Sequence, residues 1–217
     1  MRTDAELMEF YRKGSRDAFE ELFARHHRRV IHFCYRMTGD QARAEEAAQE
    51  VFLRVARAAA TYQPTARFTT WLYTIARRTT LNYLRDEKEL GDKVPIDGTG
   101  EGREGTNGIL LPGPGDWGPE RIAWGAQLQE KFIEALGKIP ESNRTAFVLN
   151  RGEGLSYEEV ATVLGVTVQA VKSRIFRARE MLLDPPGLLR QGLPVDVRAD
   201  DFPDLPAFHL RSPRPPG

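Results

Sequence analysis

The chain has 217 residues, 41% of them apolar and 29% charged, with 31 Lys and Arg balanced against 31 Asp and Glu. That length allows one or two domains, the apolar fraction excludes a wholly disordered chain, and no run of about 18 apolar residues is present to span a bilayer. The N-terminal stretch Met1-Arg2-Thr3-Asp4-Ala5-Glu6-Leu7 has neither an apolar core nor a small-residue cleavage site, and the single cysteine, Cys34, cannot form an internal disulfide. A reducing cytoplasm is the expected location. Zero net charge argues against a protein that holds nucleic acid by bulk electrostatics alone.

In chain order, Phe19, Leu22, Phe23, His26, Val30, Phe33 and Met37 recur at three- and four-residue steps. This predicts a helix capped by Asp17, closed near Gly39 and burying that face. A second helix is expected from Asp40, with Ala44, Ala47, Ala48, Val51, Val55 and Ala58 inward and a stop before Pro64. Its outward face carries Glu46, Gln49, Glu50 and Leu53. Such a face is either simply solvated or suited to a basic protein partner, because its carboxylates would repel nucleic acid.

A third helix is expected from about Phe68 to Lys88, where Tyr62, Phe68, Trp71, Tyr73 and Tyr83 interleave with Arg67, Arg77, Arg78 and Arg85. Trp71, Thr74, Arg78 and Arg85 share one face of that helix, and Leu72, Ile75, Thr79 and Tyr83 a core-like one. Two readings stand side by side: the aromatics stack unpaired bases, or they close a small helical core.

Residues 91–119 then hold nine of the 19 Gly and four of the 14 Pro, and residues 184–217 eight more Pro, so neither stretch is expected to sustain regular structure. The chain thus divides into a unit at 8–90, a flexible acidic linker at 91–119, a second unit at 120–183 and a Pro-rich, disordered tail at 184–217. The neutral total is an average: net charges are +3 for residues 1–90, −3 for the linker, +1 for the second unit and −1 for the tail. No alternating run bounded by turn residues suggests a strand, and the expected class is all-α.

The most specific pattern is Leu155-Ser156-Tyr157-Glu158-Glu159-Val160-Ala161 followed by Gly165, Thr167 and Val171-Lys172-Ser173-Arg174-Ile175. Ser156 and Glu159 have capping-box spacing, Gly165 suits a left-handed turn, and Thr167 suits the cap of the next helix. This is helix-turn-helix spacing. Val168, Val171, Ile175 and Leu182 form the inward stripe, while Gln169, Lys172, Ser173, Arg174, Arg177 and Arg179 face outward with donors and acceptors suited to base edges in a major groove. A helical hairpin with a solvated basic face fits the same spacing.

His26, His27, His32 and Cys34 do not make a metal site by spacing, since His27 and Cys34 stand seven residues, or about 10 Å of helix rise, apart. His26 falls on the apolar stripe, as a satisfied core histidine would. There is no phosphate-cradling loop between strand and helix, no nucleophile elbow and no histidine pair at metal spacing, so neither enzyme nor cofactor is expected.

Taken together, Ala44-Glu45-Glu46-Ala47-Ala48-Gln49-Glu50-Val51-Phe52-Leu53-Arg54-Val55, Phe68-Thr69-Thr70-Trp71-Leu72-Tyr73-Thr74-Ile75-Ala76-Arg77 and the helix-turn-helix through Phe176-Arg177-Ala178-Arg179 resemble the sigma-70 family. The likeness is to the small extracytoplasmic-function (ECF) bacterial RNA polymerase sigma factors, with region 2 at 8–90 and region 4 at 120–183. It implies that Glu46, Gln49, Glu50 and Leu53 dock on core RNA polymerase. It also implies that Tyr62, Arg67, Phe68, Trp71 and Arg78 capture and hold the opened, single-stranded minus-ten element. Tyr157, Glu158, Gln169, Lys172, Ser173, Phe176 and Arg177 would read the minus-thirty-five element as duplex. The acidic linker would thread the polymerase RNA path, and an anti-sigma factor is a further partner that the resemblance allows. One departure concerns Arg78, which stands where many members carry an asparagine that reads the flipped base; the preferred minus-ten base is open. Two other readings fit parts of the chain: a free-standing helix-turn-helix repressor, and an adaptor acting through the acidic helix and tail.

Overall fold

The computed structural model describes residues 2–91 and 129–183; apart from Gly91, the expected linker and the tail lie outside the described residues. Those residues are helical or in turns, with no strand. α1 (Asp4–Arg12) was not among the expected helices. Thr3 opens it with a capping box, Glu6 N–H donating to Thr3 Oγ1 at 3.3 Å and Thr3 N–H to Glu6 Oε2 at 2.7 Å. Asp4 ties it to α2 through Arg25 at 2.9 Å and His26 at 2.8 Å, so the first unit begins before residue 8. His26 is the satisfied, buried histidine its place on the stripe suggests.

α2 (Arg16–Thr38) starts two residues earlier than expected, because Ser15 rather than Asp17 caps it by accepting from Ala18 N–H at 3.4 Å. It ends at Gly39, whose φ of 74° is left-handed and costs glycine little. Asp40 then caps α3 (Gln41–Ala58), Arg43 N–H donating to its Oδ1 at 3.0 Å. One correction concerns Phe23, expected in the core: it is 41% exposed, stacked on His27 at 4.8 Å and edge-on to Phe52 at 4.8 Å. A 3-10 turn (Ala59–Thr61) leads through an extended Tyr62 to α4 (Phe68–Gly91). Leu22, Val30, Phe33, Val51, Leu72 and Tyr73 are buried where α2, α3 and α4 meet. Each large apolar side chain so covered contributes about 1.5–3 kcal/mol.

In the second unit α5 (129–137) is followed by α6 (Glu141–Phe147), a π-helical turn (Val148–Gly152), α7 (Tyr157–Leu164) and α8 (Val168–Leu183). Asn150 Nδ2 donates to the Leu155 carbonyl at 2.7 Å, holding the chain between the π turn and α7. Ser156 and Glu159 form the expected capping box, Gly165 is left-handed at φ 65°, and Thr167 Oγ1 accepts from Ala170 N–H at 3.2 Å. Val160, Val163, Val171, Ile175, Ala178 and Leu182 are buried, which sets the outward face of α8.

The two units are in direct contact. α7 packs on α4, and the π turn packs on α2. Glu153, 4% exposed, sits between them: Arg36 Nη1 lies 3.0 Å and Arg29 Nε 3.6 Å from its carboxylate, the Tyr73 hydroxyl donates to it, and Arg29 Nη2 donates to its carbonyl at 2.6 Å. Burial pushes the Glu153 carboxyl up, and Arg36, Tyr73 and Arg29 oppose that shift. Gly152 leaves the space through which Arg36 passes, since a Cβ there would lie 2.9 Å from Arg36 Nη1.

Candidate nucleic-acid interface

The packed helix-turn-helix leaves Gln169, Lys172, Phe176 and Arg177 exposed on α8, beside the half-buried Tyr157. These residues, with Ser173 and Arg151, line an open concavity of about 600 Å³. Lys172 Nζ stands 5.7 Å from the centre of the Tyr157 ring, a cation–π contact that positions the ammonium without neutralising it. Phe176 is 59% exposed, an apolar group of the kind that can contact a thymine methyl. Ser173 Oγ donates to the Gln169 carbonyl at 3.0 Å, so it offers acceptor lone pairs outward. Hydrogen bonds from its own backbone N–H and from Ser156, and then the nearby Lys172 charge, hold Glu158 below the usual carboxylate range, as an acceptor. The structure therefore gathers the seven expected minus-thirty-five residues on or beside one face. Arg151 was missed, because nothing local marks an arginine in a π turn as a neighbour of α8.

The expected strand-holding set divides. Tyr62 and Phe68 are 3% and 5% exposed, so their rings are not presented to a base. The loop folds Tyr62 inward onto Trp71, ring centres 4.8 Å apart, and His26 closes on Phe68 at 5.2 Å. This corrects the expectation that both rings stack or capture bases; for these two, the core reading holds. Arg67 and Arg78 are exposed and Trp71 is half-buried. Arg67 Nη1 lies 3.4 Å from Glu159 Oε1 of α7, which also accepts from Thr70 Oγ1 at 3.3 Å.

On α3, Glu46 and Gln49 are exposed and Glu50 is half-buried; Leu53 is 52% exposed, an aliphatic group with little cover. Glu46 accepts from the Tyr83 hydroxyl at 3.2 Å, and Arg54 Nε donates to Glu50 Oε1 at 2.7 Å, which holds the Glu50 carboxyl below its ordinary range. Among the described residues no three His, Cys, Asp or Glu converge as metal ligands, and no helix is long and apolar enough to cross a membrane.

Residues 22–89 match the family described as Sigma-70 region 2, and residues 129–182 match Sigma-70, region 4. The chain is 34% identical over 180 residues to the RNA polymerase sigma-H factor of Pseudomonas aeruginosa, spanning 82% of this chain and 91% of that protein. It is 35% identical over 175 residues to the RNA polymerase sigma factor CarQ of Myxococcus xanthus, spanning 81% and 92%. With the ECF RNA polymerase sigma-E factor of Escherichia coli it shares 32% over 182 residues, 83% and 92% of the two chains. Two solved structures share the fold. CnrH in complex with the cytosolic domain of CnrY has a TM-score of 0.59 at 24% identity, covering 81% of this chain and 92% of that one. The sigma factor RpoE in complex with the anti-sigma factor NepR from Bartonella quintana has a TM-score of 0.59 at 21% identity, covering 81% and 98%. The chain belongs to the sigma-70 family, in its extracytoplasmic-function group of RNA polymerase sigma factors.

Proposed function

We propose that this sigma factor divides promoter recognition among three surfaces. The α7–α8 face reads the minus-thirty-five element as duplex through Tyr157, Glu158, Gln169, Lys172, Ser173, Phe176 and Arg177. Arg67, Trp71 and Arg78 hold the opened minus-ten strand, and Glu46, Gln49, Glu50 and Leu53 of α3 engage core RNA polymerase. The observation that carries the reading is the exposure of Lys172, Phe176 and Arg177 together above a fully packed helix-turn-helix core.

Melting costs about 1.4 kcal/mol per base step on average, and stacking a freed base on a side chain such as Trp71 returns about 1–3 kcal/mol. The chain itself carries out no bond making; polymerase supplies the nucleotide chemistry and the remaining melting energy. With so few exposed cations on α8, free duplex binding belongs in the non-specific range of roughly 10⁻⁴ to 10⁻⁶ M, so promoter affinity comes from the assembled polymerase. The setting is wherever polymerase works, the cytoplasm, with an anti-sigma factor as a further partner.

In vitro transcription with core polymerase and a promoter library tests the reading. A defined start site should appear with the wild-type chain, and Lys172→Ala combined with Arg177→Ala should abolish it while leaving polymerase binding intact. Transcription persisting from the same site would overturn the assignment of α8.

A further inference from the structure

The seam between the two units includes one buried carboxylate, beside apolar contacts such as Met37 Sδ against Thr145 Oγ1 at 3.9 Å. The Glu153 side chain is 2% exposed, and its partners Arg29, Arg36 and Tyr73 all belong to the first unit. Its side chain therefore stabilises the contact between units. A hydrogen-bonded ion pair of this kind is close to break-even against full hydration of both charges, unlike an apolar core that resists opening. Interfaces between domains of one chain resemble transient protein–protein interfaces, and relative motion of the two units is their default.

Closure has two consequences for the surfaces assigned above. The carboxylate of Glu159 occupies Arg67 and Thr70 at the start of α4, standing where a phosphate of a bound strand would be drawn. The two readers also lie side by side, since Arg67 touches Glu159 and Tyr157, two residues away on α7, touches Lys172. Elements centred near minus ten and minus thirty-five are about 25 base pairs, or about 85 Å of duplex, apart. One closed body cannot meet both. Residues 92–128 can reach about 120 Å at full extension, enough for the units to part.

We infer that Glu153 with Arg29, Arg36 and Tyr73 is an autoinhibitory latch, holding this sigma factor in a closed form that sets the Glu159 carboxylate against the exposed Arg67 and must open before promoter engagement. The inference rests on the assignment of α4 and α8 as the two readers. Only the open fraction is competent, so weakening the latch raises apparent affinity for any partner that needs the open form.

The test uses the full chain labelled at Arg57→Cys on α3 and Glu180→Cys on α8, both exposed, with the buried Cys34 left unlabelled. Distances between the labels are measured by pulsed electron spin resonance in the wild type, Glu153→Gln and Tyr73→Phe. Each latch variant should raise the ratio of open to closed molecules at least tenfold and bind core polymerase more tightly than the wild type. Tyr73→Phe keeps its ring against Phe33, centres 5.5 Å apart, and carries the test should Glu153→Gln fold poorly. Unchanged distances in a folded variant, or opening with no gain in core affinity, would overturn the latch. The distance measurement needs neither DNA nor polymerase. A double variant at Lys172 and Arg177 that still transcribes would therefore strike the surface assignment without touching the latch distances.

Discussion

Removing one oxygen atom at Tyr62 separates a base-capturing role from a core role. Its ring is 3% exposed, packs 4.8 Å from Trp71 and 6.1 Å from Phe68, and its hydroxyl is buried with no hydrogen-bond partner among the described residues. Burial also pushes the phenol pKa up, as expected of a hydroxyl kept out of water. A buried hydroxyl without a partner costs about 1–3 kcal/mol, so Tyr62→Phe should keep the ring packing and raise stability by about 1 kcal/mol. For a chain of this length that is a rise of about 2–4 °C in Tm. Tyr62→Ala should instead cost about 3–5 kcal/mol, because the packed ring is lost. Thermal and urea melts of the three proteins give these values, and transcription from a cognate promoter should survive Tyr62→Phe. A variant that melts below the wild type, or one that is equally stable yet silent in transcription, would refute the burial argument.

Cys34 hydrogen-bonds Thr80 at 3.3 Å and burial pushes its thiol up to about 12, so it should react with Ellman's reagent only after denaturation; fast reaction of the native protein would contradict this. Burial lowers His32 to about 4, below its ordinary 6.5, so the unfolded chain binds the extra proton between those values. Stability should therefore fall as pH drops from about 6.5 towards 4, and His32→Gln should flatten that slope in urea titrations across the range. Glu46→Lys with Glu50→Lys should stop co-purification with core polymerase, whereas their exposed and half-exposed positions predict a stability change within about 0.5 kcal/mol. Unchanged co-purification would remove α3 from the polymerase interface.

The local signals were legible where a residue acts on its own neighbours. Gly39, Asp40, Ser156, Gly165 and Thr167 end or begin helices as their chemistry dictates, and the apolar stripe of α3 is buried along its length except for the half-covered Ala58. Thr3 and Glu6 form an equally clear capping box, but the helix it opens is only nine residues long, too short for Leu7, Met8, Phe10 and Tyr11 to establish an extended period. Tyr62 and Phe68 could not be placed by periodicity, since one precedes α4 and the other begins it, where a helical wheel says nothing about which way a ring turns. Phe23 kept the period of α2 yet lies at the edge of the covered face. Glu153 was invisible for a different reason: its partners are 80 to 124 residues away in sequence, and an isolated acid reads as solvated.

Gly152 places a demand on space rather than on backbone angle. A methyl group there would meet the Arg36 guanidinium at 2.9 Å, and since Arg36 lies 3.0 Å from Glu153, any shift that relieves the clash disturbs that ion pair. Positions 36, 73, 152 and 153 are consequently one structural unit spread over both halves of the chain. A hybrid factor made by joining a foreign region 2 to this region 4 would bring the buried acid without its arginine, tyrosine and clearance, and its two halves would no longer close on each other.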